Sequence, residues 1–364
     1  MKVQGKAMRS IALSDDGWGV DVIDQTLLPH RFEIKRLETL NDAADAIRGM
    51  VVRGAPLIGA TASYGMALAM RDRADDTMLE EAASLLLATR PTAVNLRWAV
   101  DAMKALLAPL PPQDRPDAAY KRAHDLCEED VQINAAIGRN GLKLIEIAAD
   151  RKSGERVEVL THCNAGWLAT VDWGTALAPL YMAHDSGIPV HVWVDETRPR
   201  NQGSGLTAWE LSQHGVPHTV IADNVGGHLM QHGKVDLCIT GTDRTTARGD
   251  VCNKIGTYLK ALAAQANDVP FYVALPGPTI DWTLDDGLAI PIEERDGREL
   301  SEVSGVTRAG DITTVRTTPK DSPVANFAFD VTPANLVSAL ITERGVCPAT
   351  KEGLLDLYPE RRGA

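Results

Sequence analysis

The sequence predicts an α/β protein in two parts. Residues 1–150 form a small N-terminal domain of short strands followed by helices, and residues 151–364 form a doubly wound parallel-sheet domain. Three observations support this. Apolar, strand-length runs at 157–161, 189–194, 218–221, 235–240 and 270–274 alternate with helical patterns at 174–186, 205–214, 224–231 and 251–264. That rhythm builds a parallel sheet with helices on both faces. The stretch from 40 to 150, by contrast, is helical in pattern almost throughout, and the polar, glycine-containing RKSGER at 151–156 marks the change.

Taken in order, residues 9–14, 19–23 and 31–34 read as short strands, with Asp15-Asp16-Gly17 as a turn between the first two. A helix is expected at 39–50 with Asn41 as its cap. A second, at 56–71, is rich in alanine and so suited to close packing. Helices at 79–89, 93–107 and 118–149 follow, interrupted at 110–117 by a loop with three prolines and three charges. Residues 275–330 carry proline, glycine and charge without a clear period, and 332–343 reads as a late helix capped by Thr332. No internal repeat or low-complexity tract is evident.

The 364 residues provide ample material for a core, and 44% hydrophobic with 24% charged residues is ordinary for a globular chain. A formal net charge of −12 argues against nucleic acid or an anionic membrane as the main partner. It leaves room for a small anionic substrate held by local basic residues. The five cysteines are odd in number and widely spaced, with no C-x-x-C, as expected of free thiols in a reducing compartment. The first residues carry no long apolar run, and no run approaches the roughly 20 residues of a membrane helix. The expectation is a soluble cytoplasmic protein.

The candidate chemistry gathers after predicted strands, where open α/β sheets bind ligands. Residues 235–254, VDLCITGTDRTTARGDVCNK, read as a strand, a polar loop and a helix start. Asp243 lies three residues past the strand, and Asn253 and Lys254 fall in the expected first turn of the helix. Unpaired backbone N–H groups there attract anions. Arg53-Gly54-Ala55-Pro56 and Arg90-Pro91-Thr92, with Thr92 as N-cap, put basic side chains at two more helix starts. Together the three suit a phosphate. Cys163, in Leu160-Thr161-His162-Cys163-Asn164-Ala165-Gly166, lies at the carboxyl end of a strand, where His162 and backbone N–H groups could lower its thiol pKa. Cys127, Cys238 and Cys252 fall within predicted elements and read as packing residues. Asp195, Glu196, Arg198 and Gln202 crowd another strand end, and Gln202 could bond a sugar hydroxyl. His228 and His232 share a helix face but have no third metal ligand. Val225-Gly226-Gly227-His228 lacks the full dinucleotide G-x-G-x-x-G, which argues against a nicotinamide cofactor.

The blocks VRGAP from Val52 with Ile58-Gly59, RPTAVNLRW from Arg90, THCNAG from Thr161, DETRPRNQGSGLTAWEL from Asp195 and GDVCNKIGTY from Gly249 resemble the methylthioribose-1-phosphate isomerases of methionine salvage. Their wider superfamily includes ribose-1,5-bisphosphate isomerases and regulatory subunits of the translation initiation exchange factor. The resemblance runs from about Arg53 onward, in the same order. It implies a Rossmann-like C-terminal domain, a homodimer, and neither cofactor nor metal. It makes Cys163 and Asp243 the catalytic pair, and Arg53, Gly54, Ala55, Arg90, Gln202, Asn253 and Lys254 the substrate contacts. The chain departs from the family pattern at GTDRTTARGD, at Trp167 and at Val171 to Trp173. Trp167, four residues from Cys163, is expected to shape the pocket for the 5-substituent of the sugar.

The reaction so implied converts 5-methylthioribose 1-phosphate to 5-methylthioribulose 1-phosphate, with 5-deoxyribose 1-phosphate as a possible side substrate. Phosphate on the anomeric oxygen blocks ordinary ring opening. Asp243 would therefore act as acid on the ring oxygen, and hydrogen would move from C2 to C1. Cys163 either takes the C2 proton as thiolate or stabilises a direct hydride shift. Two other functions compete: a ribose-1,5-bisphosphate isomerase, which needs a second phosphate site, and a regulatory subunit that binds a sugar phosphate without turnover.

Overall fold

In the computed structural model, residues 1–363 are described. Strands Ile11–Leu13, Val20–Ile23 and Ile34–Leu37 form an antiparallel sheet, preceded by a small hairpin of Lys2–Val3 and Lys6–Ala7. The third strand begins where the expected 31–34 run ends, because pairing Val20 with Leu37 buries Leu37 completely. Helix Leu40–Arg48 is capped by Thr39, not Asn41. Thr39 Oγ1 accepts from Asp42 N at 3.1 Å and Asp42 Oδ2 accepts from Thr39 N at 2.9 Å, a reciprocal capping box.

Helix Ala55–Asp72 is buried almost from end to end, as its small side chains suggest. Helices Asp76–Leu87 and Val94–Leu107 pack around it. Ala93 caps the latter without a side-chain bond, so Thr92 is not its cap. The Thr92 carbonyl instead accepts from the Arg244 guanidinium. The long helix Arg115–Arg151 belongs to two cores. Ala119, Ala123, Leu126, Cys127 and Val131 pack with the N-terminal helices, whereas Ile137 and Ile145 pack under the sheet.

The main sheet has seven strands in the spatial order Gly345–Cys347, Ala339–Thr342, Phe271–Ala274, Leu237–Thr240, Val157–His162, Val190–Asp195, His218–Ile221. All neighbours are parallel except the Gly345–Cys347 edge. From Val157–His162 the chain builds outward through Val190–Asp195 and His218–Ile221, then returns to lay Leu237–Thr240 on the opposite side. The order therefore reverses between Val157–His162 and Leu237–Thr240, and such a switch point leaves a crevice beyond the strands' carboxyl ends.

Two predicted helices are corrected. Residues 251–254 are strand, Val251–Lys254, in a four-stranded sheet with Ile280–Asp281, Arg244–Thr246 and Phe329–Thr332; the helix starts only at Thr257, after Gly256 at φ +101°. Residues 332–343 are likewise not a helix. Phe329–Thr332 is strand, Ala334–Leu336 a 3₁₀ turn, and Ala339–Thr342 a main-sheet strand with Leu340 and Ile341 fully buried. A short, continuously apolar run has the same hydropathy in a buried strand as in a helix. Among the described residues no helix is long and apolar enough to cross a membrane.

Candidate active site at the switch point

Cys163 is the first residue past Val157–His162, and Gly241 the first past Leu237–Thr240, so the two loops flank the crevice. They touch: a Cβ on Gly241 would lie 2.6 Å from Ala165 Cβ. Cys163 has φ +62°, a left-handed conformation that costs a non-glycine residue about 1–2 kcal/mol. It is held there from both ends. Its carbonyl accepts from Thr207 Oγ1 at 2.6 Å, and its Sγ donates to Gln202 Oε1 at 3.3 Å. Burial pushes the thiol pKa up; the positive charges of Arg53 and Lys254 oppose this, and Asp243 adds to it.

Asp243 leads into the hairpin Arg244–Thr246/Val251–Lys254, and its N–H donates to the Cys252 carbonyl at 2.9 Å. Burial raises its carboxyl, against the pull of Lys254, Arg53 and Arg90, with Glu293 adding a smaller upward push. Lys254 is lowered by burial and steadied by Cys163 and Asp243. Cys163, Asp243, Arg53 and Lys254 thus lie close enough, away from solvent, to feel one another's charges. Lys254 also sits 4.7 Å from the centre of the Phe329 ring, and Asn253 Nδ2 donates to Thr257 Oγ1 at 2.9 Å. Both residues lie on a strand, so the expected anion site at a helix start does not exist here.

Arg53 is buried, and its guanidinium donates twice to Asn164: Nη2 to the carbonyl at 2.7 Å and Nη1 to Oδ1. Gly54 has φ +91°, and a Cβ there would come 2.4 Å from the Ala169 carbonyl oxygen, so only glycine fits. Ala55 opens the helix, with Pro56 after it. Arg90 lies four residues before helix Val94–Leu107 and pairs with Glu293 at 2.8 Å. Glu293 also pairs with Arg295 at 2.8 Å. A cleft of about 1400 Å³ reaches Arg53 and Gln202 from the surface, with Met50, Arg295 and, from the antiparallel strand pair Glu302–Val306 and Ile312–Arg316, Ser304 and Thr314 on its walls.

Two expectations do not hold. His162 does not face the thiol: its Nδ1 lies 2.6 Å from Asp195 Oδ2 and its Nε2 2.8 Å from the Ile255 carbonyl, while Lys260 completes the cluster on Asp195 at 2.7 Å. Trp167 is fully buried in the core beneath the sheet, tilted against Trp209, and does not line the cleft. Gln202, by contrast, accepts from the Cys163 thiol through Oε1 and keeps its amide nitrogen for a ligand. The His228 and His232 rings are tilted against one another with centroids 4.2 Å apart, and among the described residues no group of three or more side chains could hold a metal.

Sequence reasoning missed the residues that hold the loop. Asn164 Nδ2 donates to Thr207 Oγ1 at 3.1 Å and to Glu210 Oε1 at 2.6 Å, and Leu168 N donates to Glu210 Oε2 at 3.2 Å. Glu210 is wholly buried, and burial raises its carboxyl to about 8. One signal was available: in Thr207-Ala208-Trp209-Glu210-Leu211 a carboxylate sits between large apolar neighbours.

The family model described as the initiation factor 2 subunit family matches residues 51–349. Methylthioribose-1-phosphate isomerase of Rhodospirillum rubrum is 63% identical over 370 residues, covering 100% of this chain and 95% of that protein. This chain belongs to the methylthioribose-1-phosphate isomerase family. The family's fold is seen in the crystal structure of 5-methylthioribose 1-phosphate isomerase from Pyrococcus horikoshii OT3, with TM-score 0.83, 38% identity, and 98% of this chain and 97% of that chain covered. The translation initiation factor eIF-2B subunit delta from A. fulgidus matches with TM-score 0.79 and 38% identity, over 97% of this chain and 100% of that one. The methylthioribose-1-phosphate isomerase family thus shares its architecture with proteins named as translation factors, and the fold alone does not fix the chemistry.

Proposed function

We propose that this chain isomerises 5-methylthioribose 1-phosphate to 5-methylthioribulose 1-phosphate in L-methionine salvage. The observation that carries the reading is the 63% identity, over the full chain, to a protein named as that isomerase. The reaction class is an aldose–ketose isomerisation. The enzyme works in the cytoplasm as a homodimer, without metal or cofactor, and also accepts 5-deoxyribose 1-phosphate.

In the mechanism, Arg53, Lys254 and Arg90 bind the phosphate, with the Gly54–Ala55 backbone beside it. Gln202 and Asn253 bind sugar oxygens. Asp243, whose protonated form burial favours, gives its proton to the ring oxygen, the ring opens, and positive charge develops at C1. Hydrogen then passes from C2 to C1, and the C2 hydroxyl gives its proton to the Asp243 carboxylate, which forms the ketone and restores the acid. The thiol donates to Gln202 and is pushed upward by burial, which favours its protonated form. That supports the hydride shift, with Cys163 lining the reacting carbons. The rival route has Cys163 as thiolate taking the C2 proton and returning it to C1.

The test is to supply the methylthio sugar phosphate without metal or nucleotide, and to follow ketose phosphate. Substrate carrying deuterium at C2 should keep it at C1; wash-out into solvent would establish the thiolate route instead. A chain that binds the sugar phosphate but never turns it over would be a regulatory binder. Turnover of ribose 1,5-bisphosphate in preference would reassign the substrate.

A further inference from the structure

We infer that Glu210 is a positioning residue for anion binding: through Asn164 it fixes the orientation of the Arg53 guanidinium. The inference rests on the reading of Arg53 as a phosphate ligand. Asn164 is the hinge of the argument. Its Oδ1 and its carbonyl both accept from Arg53, and its amide nitrogen donates to Thr207 Oγ1 and Glu210 Oε1. Every polar atom of that side chain is therefore used, in one orientation only. If the amide turned over, its nitrogen would face the Arg53 guanidinium, donor against donor.

Glu210 sets that orientation because each of its two oxygens can accept. Two donors converge on it, Asn164 Nδ2 at 2.6 Å and Leu168 N at 3.2 Å, one to each oxygen. Either protonation state accepts at both oxygens. An amide at this place cannot, since its NH₂ has no lone pair to offer the second donor. The site is built for this carboxyl: a Cβ on Gly166 would lie 1.7 Å from Glu210 Oε1. The same loop runs from Cys163 to Leu168, and Thr207, three residues before Glu210, also bonds the Cys163 carbonyl. Glu210 does not line the cleft, so its effect on a ligand passes through Asn164 and Arg53.

The test compares wild type, Glu210→Gln, Arg53→Ala and the double variant. Calorimetry gives the dissociation constant for inorganic phosphate, and steady-state kinetics gives KM and kcat for methylthioribose 1-phosphate. A misaimed guanidinium forfeits a charge-assisted bond, so Glu210→Gln should weaken phosphate binding and raise KM by about tenfold. Its kcat should change by less than about threefold, because the lost contact is with the bound ground state as much as with the transition state. In the Arg53→Ala background the same change should add almost nothing. Asn164→Ala cuts the relay at its other end and should reproduce the weakened phosphate binding if Glu210→Gln proves unstable.

Unchanged phosphate affinity in a folded Glu210→Gln or Asn164→Ala protein would overturn the inference. So would full additivity with Arg53→Ala, or a wild type that binds no phosphate. Phosphate binding without isomerisation would sink the functional reading alone, and the affinity comparison would still decide the role of Glu210.

Discussion

The two loops that flank the crevice are held by different means. The Asp243 loop is held by backbone: its N–H pairs with the Cys252 carbonyl, and the Arg244–Thr246 strand pairs directly with Val251–Lys254. The Cys163 loop is held by side chains from a distant helix, Thr207 and Glu210, acting on the Cys163 carbonyl, Asn164 and Leu168. A hairpin tolerates most substitutions that preserve its ladder. A loop pinned by buried side chains transmits any change among them, since each leaves a polar group without a partner. The thiol side of the site should therefore be the brittle one and the carboxyl side the robust one, except at the reacting atoms themselves.

The largest effects should come from those atoms, where the two loops behave alike. Asp243→Asn and Cys163→Ala should each lower kcat by about 10²–10⁴-fold, the range for general acid–base groups. Melting temperatures should stay close to wild type. Near-normal turnover in either variant would remove that residue from the chemistry.

Backbone substitutions should then separate the loops. Gly166→Ala drives a methyl group into the Glu210 carboxyl, which is buried and held by two donors and cannot step aside. Overpacking of this kind costs about 1–3 kcal/mol, and urea unfolding should read a loss of that size. Adding Glu210→Ala should recover part of it, because the obstacle is gone. A double variant as unstable as the sum of the single ones would place the clash elsewhere.

The brittle side should also respond to pH. Burial raises Glu210 to about 8 from an ordinary 4.5, so between those values the native state holds a proton that the unfolded chain has released. Its contribution to stability is complete below about pH 4.5 and is lost as pH rises toward about 8. Urea unfolding at several pH values should show wild type losing stability across this window more steeply than Glu210→Gln. Parallel curves would mean that Glu210 ionises normally.

This difference between the loops also explains what could be read in advance. The strand–helix rhythm of the second half was legible, because fully buried strands are short apolar runs between turn signals, as at 157–161 and 235–240. Placing Cys163 and Asp243 just past two of those strands needed only that rhythm and the rule for where α/β sheets bind ligands. Lys254 reads as helical because Val251-Cys252-Asn253-Lys254 runs into a helical pattern, and Gly256, whose φ of +101° ends the strand geometry, is silent in hydropathy. His162 reads as a partner for the thiol because it is adjacent in sequence. Successive side chains of a strand point to opposite faces, and its ring turns to Asp195. Glu210 lies 46 residues from Asn164, and no local pattern announces a contact at that separation.

The smallest effect that still tests the contrast compares two arginines. Arg53 is buried and doubly bonded to Asn164, so its guanidinium is aimed before any ligand arrives. Arg90 is tied to Glu293 at 2.8 Å, a carboxylate shared with Arg295. An incoming phosphate must compete with Glu293 for Arg90, whereas Asn164 takes Arg53 only through neutral oxygens and leaves its charge uncompensated. Arg53→Ala should therefore raise KM more than Arg90→Ala, by about tenfold against a few-fold, if one charge-assisted bond is lost in full and the other in part. Glu293→Gln frees Arg90 and should lower KM slightly. The Arg90–Glu293 pair is only partly shielded, with side-chain exposures of 12% and 22%, so added salt should loosen it and narrow the gap between wild type and Glu293→Gln. Equal KM values for the two arginine variants would mean that both are equally aimed, and that the buried relay behind Arg53 confers no advantage in binding.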